Sequence, residues 1–142
     1  RKLTNVVFHA PVDKTRLAGL MAATDIGLQT LANVPAFYYG TSPNKFFDYL
    51  AAGLPVLNNY PGWLADLITE NKCGFAVPPD NPQAFADALE RAADHREELA
   101  QMGKRAFTLA KTKFDRQILS NLFVDWLETA YSRESYRNQE FI

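Results

Sequence analysis

The chain predicts an α/β domain with a parallel sheet, helices on both faces, and a helical region after it. Three observations predict this. Short β-branched or aromatic runs alternate with stretches of helical spacing over residues 1–80. The stretches between runs are long enough for crossover helices, which parallel neighbours require and hairpin turns cannot replace. Beyond Asn81 the strand signal stops and helical spacing alone remains.

The elements follow in order. Residues 5–9 (NVVFH) read as a strand. Asp13 is a natural N-cap, and Leu17, Leu20 and Met21 give the following helix an apolar face. Residues 25–31 (DIGLQTL) form the second strand, and residues 32–42 a long turn-rich segment. A helix over residues 43–52 ends at Gly53. Residues 55–58 (PVLN) are a short buried strand, residues 62–71 a helix, and residues 74–78 (GFAVP) a fourth strand. Beyond residue 80, Phe85, Ala88, Leu89 and Ala92 mark one helix. Leu99, Met102, Phe107 and Leu109 mark a second, and Ile118, Leu122, Phe123, Trp126 and Leu127 a third. The arrangement is Rossmann-like, a fold that usually carries roughly six strands. With four counted, the expectation is that the missing strands precede Arg1. The chain therefore reads as one partial domain over residues 1–142, α/β over 1–80 and helical over 81–142.

Composition narrows the function. The 142 residues are 47% hydrophobic and 22% charged, ordinary for a globular domain. A formal net charge of −1 argues against a nucleic-acid partner. A single cysteine, Cys73, excludes an internal disulfide, and the thiol is expected to be buried and inert. No apolar run spans a bilayer, and no signal-peptide core follows Arg1 and Lys2, so a cytoplasmic setting is expected. No His, Cys or carboxylate cluster has metal-ligand spacing, so neither a metal nor another cofactor is expected.

Residues 42–56 (SPNKFFDYLAAGLPV) carry the chemical signal. Ser42 suits an N-cap and Pro43 the first helical position, so the helix starts sharply. Its first amides lack intrahelical acceptors and, with the helix dipole, form a ready anion site. Lys45 in that first turn opposes the dipole, a cost that a bound phosphate would reverse. Phe46, Phe47, Leu50 and Ala51 form the core face. Asp48 lies about 9 Å along the axis from Ser42, within reach of a ribose whose diphosphate sits at the helix start. On the residues alone, a plain capped helix with a solvated Asp48 is the simpler reading and the anion site its alternative.

The same segment resembles the "SP-x-K-hydrophobic-x-E-Y-x-A-A-G-x-P-V" helix of the glycosyl transferases group 1 family (family 4, GT-B type). The flanks agree. Residues 5–10 (NVVFHA) resemble its "NV-x-F-x-G" strand, and residues 22–28 (AATDIGL) its "A-x-A-D-hydrophobic-G-hydrophobic" strand. Residues 61–63 (PGW) fall at its Gly-Gly turn, with Asp66 at the following acidic position. Residues 73–80 (CGFAVPPD) resemble its "x-G-hydrophobic-hydrophobic-V-x-P-x-D" strand. The likeness covers residues 5–110.

The resemblance implies the donor-binding C-terminal domain of a GT-B glycosyltransferase, lacking its first strands. The donor would be a nucleotide-sugar, commonly UDP-linked, and transfer would retain anomeric configuration. It implies that Ser42, Asn44 and Lys45 meet the diphosphate, that Lys45 also acts catalytically by neutralising the leaving group, and that Asp48 holds the ribose. Two departures stand out. Asp48 replaces the usual glutamate, and Gly40 stands where many members place a sugar-binding acid. Thr41, Tyr38 and Tyr39 are the hydroxyls that could serve there, and Thr41 joins the nucleotide-sugar-binding set. His9 would lie near the nucleobase at a strand end. Trp63 and Tyr60 suit packing or an interface rather than ligand contact. Trp126, Tyr131 and Tyr136 lie on a tail helix that would cross to an N-terminal domain or pack on the sheet. The acceptor, a glycan or lipid-linked hydroxyl in polysaccharide or glycoconjugate synthesis, would meet that N-terminal domain. Peripheral association with the inner face of the membrane is an option. The alternatives are a GT-B nucleotide-sugar epimerase and a non-catalytic nucleotide-binding module. This chain alone is expected to show no transfer in an assay with UDP-sugars and acceptors, and turnover there would refute the expectation.

Overall fold

A computed structural model of the chain describes residues 3–139, with side chains described through Ser132. Three parallel strands form one sheet: β1 (Gly27–Gln29), β2 (Val56–Asn58) and β3 (Gly74–Ala76), in the order β1-β2-β3. Gly27 pairs with Val56 and Val56 with Gly74, so these three residues share one face. Leu28, Leu57 and Phe75 share the other.

Helix α2 (Asn44–Ala51) links β1 to β2, and α3 (Trp63–Glu70) links β2 to β3. Both crossovers step the same way across the sheet, so a common hand puts both helices on one face. That is the Gly27 face, where the Tyr49 ring of α2 occupies the space a Gly27 side chain would need. The opposite face is covered from α4 (Pro82–Asp94) and α5 (Arg96–Lys113), whose Ala92, Leu99 and Met102 cluster with Ile26 and Phe75. Helices therefore cover both faces of a parallel Rossmann-like sheet, as the alternation predicts.

The main core lies on the α2–α3 side. Phe46 and Leu50 of α2, Val56 of β2, and Leu64 and Ile68 of α3 are fully buried together. Each such side chain contributes about 1.5–3 kcal/mol relative to exposure. Ala106 and Leu109 of α5 join the same cluster. Helix α5 thus serves both faces, touching one cluster through Leu99 and Met102 and the other through Ala106 and Leu109. Gly103 lies between these pairs, and a Cβ there would fall 2.4 Å from the Gly53 carbonyl oxygen. That close approach is what lets α5 lie against the end of α2.

Several expectations are corrected. Residues 5–9 are not a strand; they lie in an exposed irregular stretch with Phe8 93% exposed. An apolar run becomes a strand only when a neighbour accepts its ladder bonds, and no described strand flanks it. The sheet accordingly has three described strands, not four. Helix α1 (Lys14–Ala22) starts as expected, with the Asp13 carboxylate accepting from the Arg16 amide at 2.8 Å. Its apolar face is not buried, since Leu17 and Leu20 are both exposed. Helix α2 starts one residue later than expected. Pro43 is its N-cap in an extended conformation (φ −78°, ψ 136°) with no side-chain cap, so Ser42 does not cap. Ala51 is exposed rather than in the core. Helix α6 (Arg116–Gln139) forms, but Ile118, Leu122, Phe123, Trp126 and Leu127 are exposed, so this helix does not pack on the sheet through them. Tyr136 lies outside the described side chains.

Two glycines test the packing in opposite directions. Gly103→Ala should destabilise the chain by about 1–3 kcal/mol through the clash with Gly53. Gly19→Ala in α1 meets nothing within 4 Å and should stabilise it by about 0.5–1 kcal/mol. Urea unfolding of both variants checks the signs.

Candidate functional site

Ligands of open parallel sheets bind beyond the carboxyl ends of the strands. There, the segment between β1 and α2 is held by side chains rather than by a ladder. The Asn59 side chain grips the Leu31 backbone at both ends, accepting from its N–H at 2.8 Å and donating to its carbonyl at 3.0 Å. Asn33 Nδ2 donates to Asp80 Oδ2 at 2.5 Å, and the Tyr38 hydroxyl donates to Asn33 Oδ1. The buried Tyr38 ring stacks near-parallel to Tyr60, centroids 6.2 Å apart. A single 3-10 turn, Pro35–Phe37, follows, and the Thr41 hydroxyl and amide both donate to the Phe37 carbonyl. Finally, Trp63 Nε1 donates to the Thr41 carbonyl at 3.0 Å.

Helix α2 opens directly after this anchored turn. The Phe46 amide bonds the Pro43 carbonyl at 3.0 Å, whereas the Asn44 and Lys45 amides have no acceptor among the described residues. They belong to exposed residues at the positive end of the helix dipole. Lys45 is exposed too, and its ammonium lies 3.4 Å from the Leu28 carbonyl. The Tyr49 hydroxyl, one turn on, is 3.4 Å from the same oxygen. Gly27 and Gln29 direct their ladder bonds to the β2 side, so Leu28 presents its carbonyl along the outer edge of β1. Lys45 and Tyr49 therefore lie over that edge. Burial raises the Tyr49 phenol above its ordinary value, and the Asp48 charge adds to the rise.

The remaining predicted residues lie apart from this edge or are occupied. Ser42, Asn44 and Lys45 gather at the helix start, all exposed. The Thr41 hydroxyl is turned onto Phe37. Asp48 is exposed and faces α1, lining with Leu17, Met21 and Ala51 a groove of about 340 Å³ whose rim carries Lys14. Tyr38 is in the core, Tyr39 is 75% exposed, and Gly40 has open space around it. His9 sits in the exposed stretch rather than at a strand end, beside Arg16 and Leu20. Tyr60 is buried, and its hydroxyl accepts from Gln29 Nε2 at 2.9 Å. Burial raises its phenol, and the Gln29 bond partly offsets that. Among the described residues no three His, Cys, Asp or Glu side chains group to hold a metal, and no helix is long and apolar enough to cross a membrane. Asn33 and Asn59, which anchor the loop, have no periodic or motif signal, whereas their partner Asp80 closes the residues 73–80 motif.

The sheet, its helices on both faces and an open helix start beyond β1 define an α/β domain of Rossmann-like class. A family model described as glycosyl transferase-like matches residues 1–119, and the chain belongs to that family. No curated protein and no solved structure matches it. Family membership supports a role in glycosyl transfer.

Cys73 is fully buried, and burial pushes its thiol up to about 11. Below the ordinary thiol pKa both folded and unfolded states keep the proton. Above it the unfolded chain ionises first, so stability should fall from about pH 9 to 11. Cys73→Ala should show a shallower alkaline decline in urea unfolding, and iodoacetamide at pH 8 should label native Cys73 at least ~10-fold more slowly than the denatured chain.

Proposed function

We propose that this chain is the donor-binding domain of a glycosyltransferase of the GT-B type, resembling family 4. It would bind a nucleotide-sugar, with UDP as the first nucleotide to test, and take part in moving the sugar to a hydroxyl of a glycan or lipid-linked acceptor. The single observation behind the donor site is the opening of α2, where two amides without acceptors belong to the same first turn as an exposed lysine.

The physics of that opening favours a dianionic group over a neutral ligand. The Asn44 and Lys45 amides offer donors, the helix end adds partial positive charge, and Lys45 adds a full one. As the glycosidic bond breaks, negative charge grows on the departing diphosphate. The amides are fixed by the helix, and the Lys45 ammonium, exposed and only weakly held at the Leu28 carbonyl, would swing to the departing group and stabilise it. Lys45 would supply most of this, with Ser42 as a further polar contact and Thr41 contributing only if its hydroxyl leaves Phe37. Asp48, about a turn deeper along α2 and on its α1 side, would accept from ribose hydroxyls. The site needs no metal in this reading, since the protein's own cation and amides meet the diphosphate. The acceptor would be held by a second domain.

Calorimetric titration with UDP and with pyrophosphate separates the roles. Lys45→Ala should weaken both ligands by roughly 10–100-fold, the worth of a charge-assisted contact. Asp48→Ala should weaken UDP several-fold and leave pyrophosphate unchanged. Saturable UDP binding indifferent to both substitutions would remove the assignment.

A further inference from the structure

We infer that Trp63 is a positioning residue for the anion-binding opening of α2, an inference that rests on the donor-site reading above. Trp63 belongs to neither α2 nor the segment before it; it is the first residue of α3. Its indole nevertheless touches both sides of the opening. The Nε1–H donates to the Thr41 carbonyl at 3.0 Å, and the ring lies 6.3 Å, centroid to centroid, from Phe47. Residues 42–46, which include the amides that would bind phosphate, are thus bracketed by one rigid side chain.

The indole is itself fixed from behind. Gly62, the N-cap of α3, has φ +114° and lies so close to the Tyr38 carbonyl that a Cβ would be 2.5 Å from its oxygen. Only glycine allows this approach without strain. Phe47 is held in turn by edge contacts with Phe46 and Phe114. The hydrogen bond also disposes of an acceptor. A carbonyl left free next to the helix start would repel a phosphate, and the indole, which donates but cannot accept, ties the Thr41 carbonyl away from it. Trp63 therefore positions the opening from outside it and keeps one carbonyl engaged beside it.

Trp63→Phe keeps an aromatic ring against Phe47 and removes only the donor. Its affinity for pyrophosphate and for UDP should fall about three- to tenfold as the opening loses its anchor, with the thermal midpoint lowered by only a few degrees, roughly the worth of one neutral hydrogen bond to the fold. In the wild-type chain the Trp63 indole N–H resonance, assigned with Trp126→Phe, should shift during a pyrophosphate titration with the midpoint of binding. Equal affinities of wild type and Trp63→Phe overturn the positioning role and leave the donor site standing. If the variant does not fold, a wild-type indole resonance unmoved at saturation overturns it instead. A wild-type chain that binds neither pyrophosphate nor UDP sinks the donor-site reading and this inference with it.

Discussion

The rotation of α2 about its own axis is the constraint on which the candidate site depends. Phe46 and Leu50, four residues apart, are both fully buried against the sheet and α5. At ~100° per residue, fixing these two side chains fixes every other position on the helix. Lys45 and Tyr49 then fall together over the outer edge of β1, and Asp48 falls on the side facing α1. Moving the helix by one residue would bury Lys45 and expose Phe46. The polar opening is therefore a by-product of apolar packing, and the close approach of Gly103 to Gly53 is part of what allows that packing.

Beyond the carboxyl ends of the strands the means of support change. Deeper in the sheet, order comes from apolar contact and ladder bonds. At this end it comes from carboxamides and phenols. Gln29 and Asn58, opposite each other in register, are buried, and both donate to Tyr60, through its hydroxyl and its carbonyl respectively. Their other oxygens, Gln29 Oε1 and Asn58 Oδ1, have no partner among the described residues. Buried acceptors left so are costly, on the order of 1–3 kcal/mol each. The polar fixings hold an irregular stretch in place where no ladder can reach it. In the proposed donor site such rigidity would matter, because each ångström of slack weakens every contact.

Much of this was legible in the sequence, and the division between what was and was not is physical. From Pro43 to Ala76 each element has its own local code: a proline-led start, a buried 46/50 pair, a glycine stop and short β-branched runs. Those elements stand close to where periodicity puts them. Residues 5–9 have equally good strand composition, but a strand is a relation between two segments and composition reports only one of them. Ser42 misled for a related reason. Pro43 takes an extended conformation suited to an N-cap, so the cap falls one residue later than residue preference suggests. Trp63 read as packing, which its contact with Phe47 bears out. Its bond to Thr41 spans 22 residues and follows from no periodicity.

Lys45 is the residue for which a purely structural account is weakest. A cation in the first turn of a helix meets the positive end of the dipole and loses stability there. Structural lysines usually recover that loss through a carboxylate. The ion pairs among the described residues are Arg91 with Glu98 and Arg96 with Asp25, neither of which involves α2. The group nearest to the Lys45 ammonium in hydrogen-bonding terms is a neutral carbonyl at 3.4 Å, too long for a strong bond. The Asn44 and Lys45 amides also lack an acceptor among the described residues, so two open donors and a lysine belong to the same first turn. Each could be tolerated singly at a solvated helix end. Their placement in one turn, on a helix whose rotation the core has fixed and beside a turn anchored by Asn59, Tyr38 and Trp63, is what the donor-site proposal rests on.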